Sequence, residues 1–235
     1  MAVLSMPEPE PDPIVHFQLT TNNVPQKQCV RELSSVLPEA ALPTVCSGTH
    51  GIRCTAPSSQ VHALAALTIP ERVYAIVCDV PSSTLPDDDT LIPMLKELIT
   101  SAGSWPSALQ AHRRLHPSAS GDCLSFAVKA ERRGRRFKQR VSSLGLGGCL
   151  GAALHRHFGW RVDLRAPMLE VSVTLNDDSF FVSIALLRRL DSVECRTVDP
   201  GLNPHVAWAM VRCLGELRCG SLVCDPMCGR CGDGN

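Results

Sequence analysis

The sequence lacks a net charge, a long apolar run and a secretory signal. Its 23 lysines and arginines balance 23 aspartates and glutamates, so an anionic partner such as nucleic acid must be recognised by a local cluster of cations. There is no stretch of about 18 apolar residues to cross a bilayer. The first residues, MAVLSMPEPEPDPIV, have neither a basic flank nor a long apolar segment. They therefore predict a stiff, solvated tail over 1–13 instead of a signal peptide.

The motifs of several enzyme classes are also missing. There is no G-x-S-x-G elbow and no signature of a nucleophilic cysteine. The segment LGLGGC at 144–149 has no G-K-[ST] and no preceding strand of its own, so it predicts close helix packing and not a phosphate loop. Asp177 and Asp178 lie in a predicted hairpin turn, where aspartate is common for backbone reasons. We predict no catalytic residue in this chain.

The twelve cysteines do not form a disulfide framework, because they are scattered through ordinary apolar patterns. Four of them crowd near the end of the sequence, at Cys219, Cys224, Cys228 and Cys231. Their spacing does not give the paired C-x2-C knuckles of zinc ribbons. We predict no metal site, and a zinc-stabilised interaction module built on these four thiols remains the alternative.

The hydrophobic pattern of the first half predicts a strand–helix–strand–strand–helix–strand order, which is the order of a ferredoxin-like domain. Two connecting helices follow, broken at Gly103. The predicted elements are strand 14–20, helix 26–37, strands 42–46 and 51–56, helix 57–67, strand 72–80 and helices 87–101 and 105–116.

A second unit follows a linker at PSASGD. Alternation in CLSFAVKA predicts a half-buried strand, and MLEVSVTL and FFVSIAL predict a hairpin around the turn NDDS. The intervening helix contains several glycines, each of which costs about 1 kcal/mol relative to alanine, so its glycines should admit a close neighbour. Asn203 and Pro204 then open a last helix, which leads into a short apolar strand and a tight turn. That order is how an α/β nucleotide-binding domain begins.

The strongest local charge is the segment ERRGRRFKQR, which follows the first strand of the second unit. Cations in a loop beside an aromatic ring predict contacts to RNA phosphates together with base stacking. A solvated loop or a nuclear localisation signal would explain the same pattern. The predicted RNA-binding residues are Arg132, Arg133, Arg135, Arg136, Phe137, Lys138 and Arg140.

The segments HFGWRVDLRAPMLEVSVTLNDDSFFVSIAL, GLNPHVAWAM and LVCDPMCG resemble the eukaryotic THUMP-domain RNA guanosine N2-methyltransferases. The resemblance implies an α+β chain with a tail at 1–13, a ferredoxin-like domain with its connecting helices at 14–120, a THUMP α/β domain at 121–190, and a linker with the start of a Rossmann-like methyltransferase domain at 191–235. It also implies that the full-length family uses S-adenosylmethionine to methylate guanine N2 in structured RNA, either tRNA or small nuclear RNA. A zinc-ribbon activator subunit is the implied protein partner of that family.

The tight turn near the end matches the family's first cofactor-binding turn, and its residues are Asp225, Pro226, Met227, Cys228 and Gly229. The acidic residue that would hold the cofactor ribose, and the Asn/Asp-Pro-Pro-aromatic loop that would hold the guanine, do not follow. We therefore expect a truncated product whose remnant binds no cofactor. Because one helix and one strand cannot close a sheet, residues 204–235 should be loosely held or should dock opportunistically on the rest of the chain.

These observations predict a non-catalytic RNA-binding fragment of such a methyltransferase. An enzyme subunit whose missing half is supplied by another chain is a second hypothesis. Reduced thiols and the basic cluster are typical of a protein of the nucleus or cytoplasm.

Overall fold

The computed structural model describes residues 12–21, 26–37, 44–46, 51–117, 124–188, 204–215, 219–222 and 224. The strands are β1 Ile14–Thr20, β2 Thr44–Cys46, β3 Gly51–Pro57, β4 Arg72–Pro81, β5 Ser125–Arg132, β6 Arg161–Val162, β7 Leu169–Leu175 and β8 Ser179–Arg188. The helices are α1 Gln26–Val36, α2 Val61–Ala66, α3 Leu91–Ser101, α4 Trp105–Leu115, α5 Ser143–Phe158 and α6 Pro204–Cys213. The elements predicted up to β8 are present, apart from shifts at their ends, and β6 was not predicted.

The strands form one mixed sheet of eight strands in the order β2-β3-β1-β4-β8-β7-β5-β6. The first four strands pair antiparallel, whereas β5 pairs in parallel with both β6 and β7. The two predicted units meet where β4 pairs antiparallel with β8, from Arg72 opposite Arg188 to Pro81 opposite Ser179. This pairing across the units was not foreseen from the sequence.

One face of the sheet carries the hydrophobic core, because alternate residues of every long strand point toward the helices. A buried apolar row crosses the middle of the sheet, as the strand register shows: Phe17, Ala75, Ile184 and Val171, with half-buried Val128 at its end. Helix α4 contacts β1, β4 and β8, and α5 contacts β5. Buried residues from both halves therefore form a single core.

The predicted hairpin between β7 and β8 is confirmed. The Oδ1 atom of Asn176 accepts hydrogen bonds from the N–H groups of Asp178 and Ser179, at 2.8 and 2.7 Å. The neighbouring Asp177 points out of this turn toward the segment that follows β5. The turn thus positions one carboxylate beside the predicted basic cluster.

Helix α5 has a capping residue at each end. The Oγ atom of Ser142 accepts a hydrogen bond from the N–H of Gly145 at 3.0 Å, and Gly159 ends the helix with a left-handed φ of 72°. A Cβ on Gly147 would lie 3.3 Å from the Cβ of Ala130. The prediction that a helix glycine admits a close neighbour is therefore confirmed, and it lets α5 approach β5.

Helix α6 docks on α1. Ala209 is buried, the amide of Gln28 donates to the Sγ of Cys213 at 3.3 Å, and Arg212 lies 3.7 Å from Glu32. The described residues beyond α6 form neither a helix nor a strand, and Leu222 of the predicted short apolar strand is 96% exposed, so the prediction of a buried strand there is wrong at its described residues. The cofactor-binding turn at 225–229 lies outside the described residues. Within the part of the chain that is described, no helix combines the length and apolar character needed to span a membrane.

Candidate nucleic-acid interface

Apart from Arg132, the last residue of β5, the predicted basic cluster lies in a loop, residues 133–142, between β5 and α5. We call it the basic loop. Gly134 has a φ of 77°, a left-handed conformation that favours glycine. The Asp177 carboxylate accepts hydrogen bonds from the N–H groups of Arg135 and Arg136, both at 3.0 Å. These bonds, that from Arg136 above all, hold the pKa of Asp177 below its ordinary value. The carboxylate therefore stays ionised and fixes the start of the loop.

Arg136 is a structural residue of the basic loop. Its guanidinium donates to the carbonyl oxygens of Ser82 and Leu85, the second at 2.8 Å, in the segment that follows β4. It also lies over the ring of Phe137, 4.9 Å from the ring centroid. With these donors engaged, Arg136 anchors the loop to the first half of the chain and has little capacity left for a phosphate.

The prediction that Phe137 stacks on a base is wrong for this conformation. Its side chain is completely buried and belongs to the hydrophobic core. The physical reason is that the loop turns this apolar ring into the hydrophobic core, where burial removes it from water. A ring without exposed surface cannot stack on a base.

Two further cations of the loop, and Arg132 at the end of β5, also have protein partners. Arg140 donates to the Asp87 carbonyl at 2.7 Å and pairs with the carboxylates of Asp87 and Asp89. Arg133 pairs with Glu131 at 2.8 Å, and a guanidinium nitrogen of Arg132 donates to the Gly134 carbonyl at 2.9 Å. Arg133 and Arg140 remain exposed. Exposed pairs of this kind contribute little to stability and can exchange partners.

Arg135 and Lys138 are the cations of the loop with the freest side chains. Both are exposed, and neither side chain forms an ion pair within the described ranges. The N-terminus of the 16-residue helix α5 follows the loop, and its partial positive charge adds to theirs. The backbone is fixed by Asp177 and Arg136, so these two cations extend from a rigid base toward solvent.

The opposite face of the sheet, which the helices leave uncovered, forms an open trough of about 690 Å³. The trough was not predicted from the sequence, although many of its residues are the polar ones that alternate with buried apolar residues along the strands. Cations from three separate strands line it: Arg53 of β3, Arg72 of β4 and Lys129 of β5. Arg133 and Gly134 line its end, so the trough opens beside the basic loop.

The predicted cysteine cluster lies only in part within the described residues. Cys219 and Cys224 are exposed, free thiols, whereas Cys228 and Cys231 lie outside the described residues. No group of three or more metal-binding side chains occurs in the part of the chain that the structure describes. The zinc alternative therefore stays a prediction.

Comparison with known proteins gives the chain's relationships. Residues 108–185 match the THUMP domain family. The U6 snRNA (guanine-N(2))-methyltransferase THUMPD2 of Mus musculus is 37% identical over 106 residues, which are 45% of this chain and 20% of that protein. The tRNA (guanine(6)-N2)-methyltransferase of Thermus thermophilus is 33% identical over 107 residues, which are 45% of this chain and 31% of that protein.

The fold is shared more widely than the sequence. The crystal structure of TrmN from Thermus thermophilus superposes with a TM-score of 0.60 at 23% sequence identity, and the match covers 85% of this chain and 54% of that one. The chain spans about a fifth of the length of the mouse relative. The structural match confirms the mixed α/β fold. The sequence matches confirm the resemblance to the THUMP-domain RNA guanine N2-methyltransferases.

Proposed function

From the THUMP domain that this chain shares with RNA guanine N2-methyltransferases, we propose that it is the RNA-binding part of such an enzyme. The observation that carries the proposal is the basic loop, which lies within the matched residues 108–185. Its backbone is held by Asp177 and Arg136, while Arg135 and Lys138 extend into solvent. A rigid cationic loop at a helix N-terminus is suited to the phosphates of a structured RNA, and tRNA and small nuclear RNA are the candidates.

The domain division follows the same proposal. Strand order β2-β3-β1-β4, antiparallel throughout and with helices after β1 and β3, supports a ferredoxin-like domain in the first half. The THUMP domain would then comprise α5 and the strands β5 to β8. The match to the family begins at residue 108, inside α4. We therefore expect α4 to serve both units, which is consistent with its contacts to β1 and β8.

Catalysis and its cofactor belong to the proposed full-length enzyme. S-adenosylmethionine would supply the methyl group there, and a zinc-ribbon activator would be its protein partner. The residues of this chain that resemble a cofactor-binding turn, at 225–229, lie outside the described part. We assign them no step. We expect this chain alone to bind RNA without methylating it, in the nucleus or the cytoplasm.

The test is RNA binding by the purified chain at two salt concentrations. We expect the double variant Arg135→Ala/Lys138→Ala to bind tRNA and U6-type small nuclear RNA more weakly. The slope of log affinity against log salt should fall by about 0.7 to 0.9 for each phosphate that the variant no longer neutralises. Lys27→Ala/Arg31→Ala removes two exposed cations of α1 and is the matched control. Equal effects of both double variants, or no RNA binding by the wild type, would contradict the proposal.

A further inference from the structure

The floor of the open trough carries buried polar atoms that have no partner. Seven side-chain nitrogen or oxygen atoms are buried without a hydrogen bond in the described part of the chain, and five of them belong to residues that line the trough. They are Gln18 Oε1, Thr20 Oγ1, Arg53 Nε, Glu170 Oε1 and Ser183 Oγ. Ser183 is only 1% exposed. Buried polar atoms are normally paired, so their concentration in one trough indicates a polar ligand.

The wall of the trough provides a flat surface for stacking. The guanidinium of Arg53 lies over the ring of Phe181, 5.4 Å from the ring centroid, and Asp79 holds it there through an ion pair. Guanidinium planes and aromatic rings are the surfaces on which unpaired RNA bases stack. On β4, Arg72 donates to the hydroxyl of Tyr74 at 3.2 Å, which fixes the adjacent wall.

The charges that line the trough do not suit a run of phosphates. Its four cations, Arg53, Arg72, Lys129 and Arg133, face four carboxylates, Glu131, Glu170, Asp177 and Asp178. A phosphate-binding groove would show an excess of positive charge. Balanced charge with hydrogen-bonding atoms of both kinds suits a nucleobase, whose edge is polar but uncharged.

We propose that the trough binds one unpaired base of the RNA whose phosphates contact the basic loop. The inference rests on the proposed function and extends it to a base-binding site. Arg133 and Gly134 connect the two surfaces, since they belong to the loop and line the trough. Four of the five unpaired atoms can accept a hydrogen bond, and two of these, Gln18 Oε1 and Glu170 Oε1, can only accept. The other carboxylate oxygen of Glu170 pairs with Lys129 at 2.5 Å. A base with an exocyclic amine, namely adenine, cytosine or guanine, therefore fits better than uracil.

The experiment compares single-stranded oligo(A), oligo(C) and oligo(U) of equal length on the full chain. Ser172→Trp places a large ring over the floor of the trough, where Ser172 lies beside Ser183. We expect it to weaken oligo(A) and oligo(C) binding about tenfold, the effect of losing one stacked base, and to leave oligo(U) nearly unchanged. Ser101→Trp adds the same ring to an exposed position at the end of α3 and is the control.

Two further measurements do not require that the Ser172→Trp variant folds. Ser183→Ala removes a hydroxyl that makes no hydrogen bond, so we expect thermal stability to be kept while oligo(A) affinity falls. Ultraviolet cross-linking of oligo(A) to the wild type, followed by peptide mapping, should label the β8 peptide that contains Phe181.

The outcomes separate this inference from the proposed function. Loss of binding in the loop variant, with no effect of either trough variant and no label on β8, would leave the proposed function standing and overturn the base-binding site. If the wild type binds no RNA, both fall. If Ser172→Trp instead changes the oligomeric state in solution, the trough is a contact between copies of the chain, and the base-binding site is overturned.

Discussion

Replacing Gly134 by alanine should disturb the basic loop in two separate ways. The residue has a φ of 77°, and a left-handed conformation costs an L-residue about 1–2 kcal/mol. In addition, the new Cβ would lie 2.3 Å from Oδ1 of Asp177. The carboxylate would have to move away, and the N–H groups of Arg135 and Arg136 would lose their acceptor. We therefore expect both lower stability and a displaced loop.

The assay is thermal unfolding, with a matched glycine-to-alanine variant that should change Tm in the opposite direction. Gly148 is exposed on α5, with no atom within 4 Å of an added Cβ, so Gly148→Ala should gain about 1 kcal/mol of helix propensity. For a chain of this size, 1 kcal/mol corresponds to about 2–4 °C in Tm. The same chemical change should therefore lower Tm by about 2–8 °C at position 134 and raise it by about 2–4 °C at position 148.

A double-mutant cycle tests whether Asp177 is the partner that Gly134 serves. Asp177→Ala removes the carboxylate that the new Cβ would strike, so the effects of Gly134→Ala and Asp177→Ala on the free energy of unfolding should sum to more than the effect of the double variant. Additive effects would mean that the two positions do not act together. A Tm of Gly134→Ala at or above that of the wild type would refute the loop geometry itself.

Three further predictions concern single side chains. Arg136→Ala should lower Tm more than Arg135→Ala, because only Arg136 binds the carbonyls that follow β4; Arg135→Ala should instead lower RNA affinity, and a reversed order would contradict the assignment. Phe137→Leu should lower Tm while leaving the RNA affinity of the folded protein unchanged, since the ring is buried; a base-stacking ring would give the opposite result. Burial, assisted by the nearby His116, lowers the pKa of His112 from 6.5 to about 4. Stability from this group is fully present above pH about 6.5, and up to roughly 3 kcal/mol is lost as pH falls through 4. His112→Gln should flatten that slope in urea unfolding, and an unchanged slope would refute the assignment.

Local patterns were sufficient for the elements of this fold. The alternation in β5, β7 and β8 and the NDDS turn depend on near neighbours, so the hairpin could be predicted from the sequence. The pairing of β4 with β8 could not. It joins strands that lie about a hundred residues apart in the sequence. The sequence of either strand shows that one of its faces is apolar, but it does not show which strand pairs with its backbone.

The basic loop shows the same limit at the level of side chains. Six cations in one segment predicted a surface of positive charge, but the sequence could not show which of them are engaged within the protein. The partners of Arg136 and Arg140, around Leu85 and Asp87, precede them by about fifty residues. The ring of Phe137 lies among cations in sequence, and only the tertiary structure shows that it turns inward. A residue's neighbours in sequence did not decide its exposure here.

The continuous sheet explains why both halves of the chain are needed for one interface. The basic loop is held on one side by Asp177, from the turn between β7 and β8, and on the other by the segment after β4, which Arg136 and Arg140 contact. These two supports are themselves joined, because the Ser82 hydroxyl donates to the Asn176 carbonyl at 2.6 Å. The trough likewise takes its walls from β3 and β4 and much of its floor from β7 and β8. The first half therefore forms part of the proposed RNA-binding surface and is not a separate module attached to it.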